Sequence, residues 1–275
     1  MAEQMQGSVA RASREIGWQS IGDGPPLLLL NGYGGTAADW DPNFVAALAE
    51  RFEVVLPDNR GMGASTWGDD AEPLTIASMA DDVLALADAL ALRTFALVGW
   101  SMGGFIAQAL VAKAPERVTG LGLLGTDAGG PDAVLADPEV WARLIDSTGS
   151  PREQATRLLG VLFPPELAAE LDAQVGGVVA EARAAIDHRV LRAQEAAMDA
   201  WHATELTLPG GARTPTLVAC GALDQVIPPQ NAAKLAERWS ATMPITYEGC
   251  GHALMAQVPV DLGSHLTAHL TALRG

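Results

Sequence analysis

Over the first half of this chain, short apolar runs alternate with stretches whose apolar residues recur every three or four positions. The runs are Leu27-Leu28-Leu29-Leu30, Val54-Val55-Leu56, Phe95-Ala96-Leu97-Val98 and Leu121-Gly122-Leu123-Leu124. Continuous apolar runs of this length, bounded by turn residues, predict strands buried on both faces. Between the second and third runs, Ile76, Met79, Val83, Leu86 and Leu90 fall on one helix face. Such alternation predicts parallel βαβ units. The stretch from Arg11 to Ile21 has a poorer pattern and is expected to supply short opening strands.

The alternation stops after Asp127. From Pro131 to about His202 the pattern is entirely helical, with stops at Gly149-Ser150-Pro151 and Phe163-Pro164-Pro165. Within it, Glu181 to Trp201 is a long Ala-rich segment of good helix propensity. Strand patterns return at Thr216-Leu217-Val218-Ala219 and Ile245-Thr246-Tyr247, and a final helix is expected from Asp261 to Leu273. The predicted architecture is an α/β core of residues 1–130 and 203–275. A helical cap, residues 131–202, is inserted after the sixth strand as a lid over the sheet.

Composition narrows the picture. The chain has 275 residues, of which 49% are hydrophobic, enough for one large α/β domain. No apolar run approaches the ~18 residues a membrane span needs, and the first residues lack a signal-peptide pattern. Two cysteines, Cys220 and Cys250, make no disulfide framework, so the cytoplasm is the expected compartment. A net charge of -16 argues against nucleic acid and anionic membrane as partners. A small-molecule substrate is expected.

Pattern and chemistry meet at Gly99-Trp100-Ser101-Met102-Gly103-Gly104, between the Phe95–Val98 run and a helical stretch starting at Phe105. Strand, Gly-x-Ser-x-Gly, helix is the layout of a nucleophile elbow. The two outer glycines allow strand and helix to approach closely, and the helix N-terminus offers free N–H groups to whatever Ser101 attacks. A serine hydroxyl needs a base, and the base an orienting acid. Asp224 follows the run ending at Ala219, and His252 the run ending at Tyr247, so both lie in strand-end loops. Asp127, after the run ending at Leu124, is the rival acid. Asp58 is expected to pair with Arg60 and shape its own loop. The oxyanion donors are expected to be the backbone N–H groups of Met102 and of Tyr33, in Asn31-Gly32-Tyr33-Gly34-Gly35. That loop lacks the spacings of nucleotide-binding glycine loops, and no cofactor is implied. His265 and His269 are four apart on the last helix but lack the glutamate of a His-Glu-x-x-His motif. A solvated face, with no metal, is the expectation.

With Asn31-Gly32-Tyr33-Gly34, Asp58-Asn59-Arg60-Gly61-Met62-Gly63-Ala64-Ser65, the elbow, Gly221-Ala222-Leu223-Asp224 and Gly251-His252, the chain resembles the α/β-hydrolase superfamily over nearly its whole length. It is most similar to small capped bacterial esterases, enol-lactonases and cofactor-free perhydrolases. Asn31 stands where that family usually has histidine, so the loop must be tied differently. Ser101 at the elbow separates it from haloalkane dehalogenases and epoxide hydrolases, which use aspartate there. Hydroxynitrile lyases of this fold use a lysine near the site. Lys113 and Lys234, the chain's lysines, lie outside the helical block.

The expected function is hydrolysis of a carboxylic ester or lactone through an acyl-enzyme on Ser101. A perhydrolase or other non-hydrolytic enzyme on the same triad, or a slow-turnover ligand receptor, are the alternatives. Trp100, Trp141, Phe163, Met198 and Trp201 are the candidate substrate contacts and point to an apolar acyl or ring group. Arg143, Arg152, Arg157, Arg183, Arg189 and Arg192 offer either a carboxylate clamp or exposed helix faces.

Overall fold

A computed structural model describes residues 4–68, 73–208, 211, 213–241 and 243–272. The chain runs β1 (Gln4–Arg11), β2 (Arg14–Ile21), β3 (Pro26–Leu30), α1 (Pro42–Ala49), β4 (Glu53–Pro57), α2 (Ile76–Ala89), β5 (Phe95–Trp100), α3 (Met102–Lys113) and β6 (Val118–Leu124). Then come α4 (Pro138–Ile145), α5 (Pro151–Leu162), α6 (Pro165–Ala184) and α7 (His188–Ala203). The sheet resumes with β7 (Thr216–Gly221), followed by α8 (Gln230–Arg238), β8 (Ile245–Tyr247), α9 (Leu254–Gln257) and α10 (Pro259–Ala272). The expected helix end at Leu273 lies outside the described residues.

Eight strands form one sheet in the order β1-β2-β4-β3-β5-β6-β7-β8. The β1–β2 and β2–β4 pairs are antiparallel and the others parallel. The apolar runs split between two faces because side chains alternate along a strand. Leu27 and Leu29 pack with Phe44 and Leu48 of α1 and Leu262 of α10. Leu28 and Leu30 pack with Met79 of α2 and Phe105 and Leu110 of α3. Full burial of each such leucine contributes roughly 1.5–3 kcal/mol. The opening strands are longer than expected. They form a hairpin of two eight-residue strands at the sheet edge, with β1 largely exposed and β2 burying residues without strict alternation.

The Ala-rich segment is two helices rather than one. The chain breaks at Ala185–Asp187, where the Asp187 side chain caps α7 by accepting from the Arg189 N–H. Residues 131–137 are loop, and Asp137 with Pro138 starts α4. The other stops hold. Ser150 and Glu153 form a capping box ahead of α5. The block has no separate core. Leu144, Val161, Met198 and Trp201 join the apolar cluster of α2 and α3, and Leu159 and Phe163 join that of α1 and α10.

Two polar arrangements tie remote elements together. Asp82 of α2 accepts from Arg14 of β2 at 2.8 Å and from Arg60, after β4, at 3.0 Å, and it also pairs with Arg11. Arg14, Arg60 and Asp82 are all buried. The other arrangement joins α7 to the loop after β3. Tyr33 donates its hydroxyl to Glu195 Oε1 at 2.5 Å, and the Gly34 N–H donates to Gln194 Oε1 at 2.8 Å. Burial, and then the Glu195 hydrogen bond and charge, push the Tyr33 hydroxyl far above the ordinary phenol value, so it stays protonated and donates.

Asp82→Asn leaves buried guanidinium groups without their carboxylate and should lower unfolding free energy by about 3–5 kcal/mol in urea denaturation. Tyr33→Phe removes one charge-assisted bond between the helical block and the sheet-end loop. It should cost about 2 kcal/mol in the same measurement.

Candidate active site

Strand β5 ends at Trp100 and α3 begins at Met102, so one residue, Ser101, makes the turn. Its backbone sits at φ 56° and ψ -125°, a region L-residues avoid. The neighbours hold it there. The Ser101 N–H donates to the Leu124 carbonyl at 3.0 Å. Its carbonyl accepts from Gly104 N–H and Thr126 Oγ1, each at 2.8 Å. The elbow glycines act as the sequence predicts. A Cβ on Gly99 would collide with the Gly103 carbonyl, and one on Gly103 with the Leu30 carbonyl.

The sheet order places this turn at a switch point. From β3 the chain goes to β4 on one side, and from β5 to β6 and β7 on the other. Loops after β3 and β5 therefore open a crevice at the carboxyl edge. Asp224 lies just beyond β7 and His252 beyond β8. The Asp224 Oδ2 to His252 Nδ1 distance is 2.8 Å, and both residues are buried. Asp224 Oδ1 accepts from the Val226 and Ile227 N–H groups at 2.9 Å each. An Nδ1–H donated to this carboxylate leaves the Nε2 lone pair free. Trp100, beside the serine, donates its indole N–H to the His252 carbonyl at 2.9 Å, with ring centroids 5.1 Å apart. A Cβ on Gly125, next to Leu124, would stand 3.3 Å from Asp224 Oδ2 and 3.5 Å from His252 Nδ1. Residues more than a hundred positions apart thus meet at one sheet edge.

The rival acid, Asp127, has a different histidine. Its Oδ2 is 3.0 Å from His202 Nε2, and its Oδ1 accepts from Gly129 N–H at 2.7 Å and Trp201 Nε1 at 3.3 Å. Asp58 shapes its loop, but not through Arg60. Its carboxylate accepts from Ala37 N–H at 2.7 Å and Ala64 N–H at 2.8 Å, and Arg60 turns to Asp82. Two backbone donors suit a short buried carboxylate between two loops better than one long side chain. Burial raises the Asp58 pKa above the ordinary carboxylate value, against those two bonds.

Asn31 ties the β3 loop. Its side-chain amide donates to the Thr36 carbonyl, and its Oδ1 accepts from Gly32 N–H at 2.8 Å. A Cβ on Gly32 would lie 3.1 Å from Ser101 Cβ, so this loop lies against the serine. Met102 is the first residue of α3, where N–H groups have no acceptor within their own helix. Both expected donors, Tyr33 and Met102, are therefore next to residues that bracket Ser101.

A cavity of about 240 Å³ opens on Ser101, with Tyr33, Phe105, Trp141, Met198 and His202 in its walls. Trp141 and Met198 stand where the sequence expectation puts them. Trp100, Phe163 and Trp201 do not line it. Trp100 packs against Trp40 and His252, Phe163 is in the core, and Trp201 stacks on Phe105 at 5.3 Å. An apolar side chain in a helix signals burial, whether its neighbour is core or ligand. None of the six block arginines lines the cavity. Arg152 pairs with Asp172, Arg157 with Asp146 and Arg189 with Asp187. His202 was missed as a cavity residue, because a lone helical histidine carries no motif.

Cys220 and Cys250 are both free and buried. His265 accepts from or donates to the Tyr247 hydroxyl at 2.7 Å. Among the described residues no cluster of three metal-ligating side chains occurs, and no helix is long and apolar enough to cross a membrane.

Comparison with known proteins identifies the fold family. The provisionally named non-heme bromoperoxidase BpoC of Mycobacterium tuberculosis is 38% identical over 112 residues, 40% of this chain and 42% of its own length. The provisionally named carbamate hydrolase RutD of Variovorax paradoxus is 33% identical over 217 residues, 78% of this chain and 80% of its own length. A crystal structure of a hydrolase from Pseudomonas aeruginosa superposes with a TM-score of 0.75 at 27% identity, covering 96% of this chain and 98% of that one. The family model for the α/β-hydrolase fold matches residues 25–257. That match takes in every parallel strand and every strand-end loop that reaches Ser101, and the chain belongs to the α/β-hydrolase fold family.

Proposed function

We propose that this protein is a serine hydrolase that cleaves a carboxylic ester or lactone through an acyl-enzyme on Ser101. The observation that carries the reading is the strained Ser101 turn at the same sheet edge as the buried Asp224–His252 pair. His252 Nε2 takes the Ser101 proton as the hydroxyl attacks the carbonyl carbon. Asp224 holds the imidazole in the tautomer that leaves Nε2 free and stabilises the imidazolium that forms. The tetrahedral oxyanion rests on the Met102 and Tyr33 N–H groups. His252 then gives its proton to the leaving alkoxide, and water repeats the cycle on the acyl-enzyme.

In this reading α4–α7 form a cap, residues 131–202, on a core of 1–130 and 203–275. The mostly apolar cavity suits a small, uncharged substrate. Trp141 and Met198 supply contacts from the cap. Two free, buried cysteines fit a reducing compartment, which makes the cytoplasm our assignment. The likeness to the named bromoperoxidase supports one second reading, in which peroxide rather than water accepts the acyl group.

A panel of aryl esters, lactones and carbamates of graded size, with water or peroxide as acceptor, tests the reaction class. Ser101→Ala should lower kcat by at least about 10⁴-fold on whichever substrate is turned over. Near wild-type turnover in that variant would sink the acyl-enzyme. Asp224→Asn should lower kcat by about 10⁴-fold with the fold intact by circular dichroism, because the amide turns the imidazole to the wrong tautomer.

A further inference from the structure

The Ser101 cavity has a second, separate histidine–aspartate pair in its wall. Asp127 leaves the carboxyl end of β6, and His202 sits in the last turn of α7, after a separation of 75 residues. Asp127 is 2% exposed, and its three donors are Gly129 N–H, Trp201 Nε1 and His202 Nε2. The His202 ring is further held by the edge of Phe105, at 5.4 Å between centroids and an angle of 79°. Phe105 is itself stacked on Trp201. A ring held on one side by an aromatic neighbour and at one nitrogen by a buried carboxylate is a prepared contact.

Its chemistry follows from the bond it makes. A buried carboxylate accepts, so His202 Nε2 is the donor, and in the neutral ring Nδ1 carries the lone pair. His202 lines the cavity with its side chain 21% exposed, and with Nε2 taken by Asp127, Nδ1 is the ring nitrogen left for a further partner. Nearby walls are apolar, with Leu144, Val226, Ile227 and Phe105 among them. The charged residues of the lining are Asp127 and Asp199, with no lysine or arginine. An acceptor beside two carboxylates disfavours an anionic group and favours a hydrogen-bond donor.

We propose that His202, oriented by Asp127, is a specificity-determining acceptor for a hydroxyl group carried on the apolar body of the substrate. His202 is not part of the bond-breaking step, and Asp127 is a positioning residue that acts through it. A substrate lacking the hydroxyl leaves Nδ1 facing an apolar surface, without either water or a partner, and loses that interaction. The proposal rests on Ser101 as the acyl carrier only in that the same cavity must hold the substrate.

The test uses matched esters that differ by one hydroxyl. Methyl 3-(4-hydroxyphenyl)propanoate is compared with methyl 3-phenylpropanoate, and 2-(4-hydroxyphenyl)ethyl acetate with 2-phenylethyl acetate. In at least one pair the hydroxylated member should show about tenfold higher kcat/KM, the effect of one well-made hydrogen bond. His202→Phe should bring that ratio to near one, whatever it does to the rate common to both esters. His202→Gln, which keeps an acceptor, should retain part of it. Should His202→Phe fail to fold, binding to the Ser101→Ala protein, read by tryptophan fluorescence, keeps the question decidable. There the hydroxylated ester should bind about tenfold more tightly. Equal binding of both members, binding of neither, or a ratio untouched by His202→Phe overturns the proposal. Failure of the acyl-enzyme reading shows elsewhere, as turnover that survives Ser101→Ala with the hydroxyl preference intact.

Discussion

The left-handed backbone of Ser101 is the constraint on which the surrounding structure depends. A non-glycine residue held in such a region costs of order 1–3 kcal/mol. Its N–H donates to the Leu124 carbonyl and its C=O accepts from Gly104 and Thr126, and these three hydrogen bonds offset the cost at about 1 kcal/mol each. They also tie the turn to β6 and the loop after it, so the serine is positioned by two strands rather than one. Glycines at 99 and 103 remove the side chains that would keep β5, α3 and the end of β3 apart. The strain aims a hydroxyl at the crevice, and the helix behind it presents unpaired N–H groups to the same point.

Around that turn, buried polar groups are satisfied in a way that joins distant segments. Asp224 has three donors and Asp127 three, and each includes one histidine. Buried carboxylates left without such donors would cost more than the hydrogen bonds return, so these networks fix their side chains in single orientations. The two pairs use opposite ring nitrogens. His252 is bound through Nδ1 and His202 through Nε2. The helical block is attached by the same means. Tyr33 and Gly34 bond to Glu195 and Gln194, so the loop that lies against Ser101 also holds α7. Motion of that helix and the geometry of the loop are therefore coupled through two bonds.

Much of this was legible in the sequence because local rules decide it. The four apolar runs became strands within three residues at either end, since parallel strands are buried on both faces and need no partner to announce them. The elbow, Asp224 and His252 were legible because each follows a strand directly, and strand ends share one edge of a parallel sheet. Where the readings departed, a partner remote in sequence decided. Arg60 has Asp58 two residues away, yet binds Asp82 across to α2, where Arg14 adds to the same carboxylate. The Ala-rich segment has helix propensity throughout, yet Asp187 caps a new helix and the chain turns. Propensity sums over a window, and one capping aspartate outweighs it at a single peptide group.

The cavity walls were the least legible, and the reason is geometric. Trp201 and His202 are adjacent on α7, one buried against Phe105 and bonded to Asp127, the other reaching the cavity from the same helix turn. Helical periodicity assigns both to an inner face, because it counts distance from solvent and not distance from Ser101. Both touch Phe105 of α3 and bond to Asp127 beyond β6, residues more than 70 positions earlier in the chain, and those partners decide which of the two reaches the cavity. Neighbours on α7 therefore differ in whether they pack into the core or face the cavity. On the proposal above, selectivity in this cavity would be carried by the few polar atoms along that boundary, the ring of His202 among them.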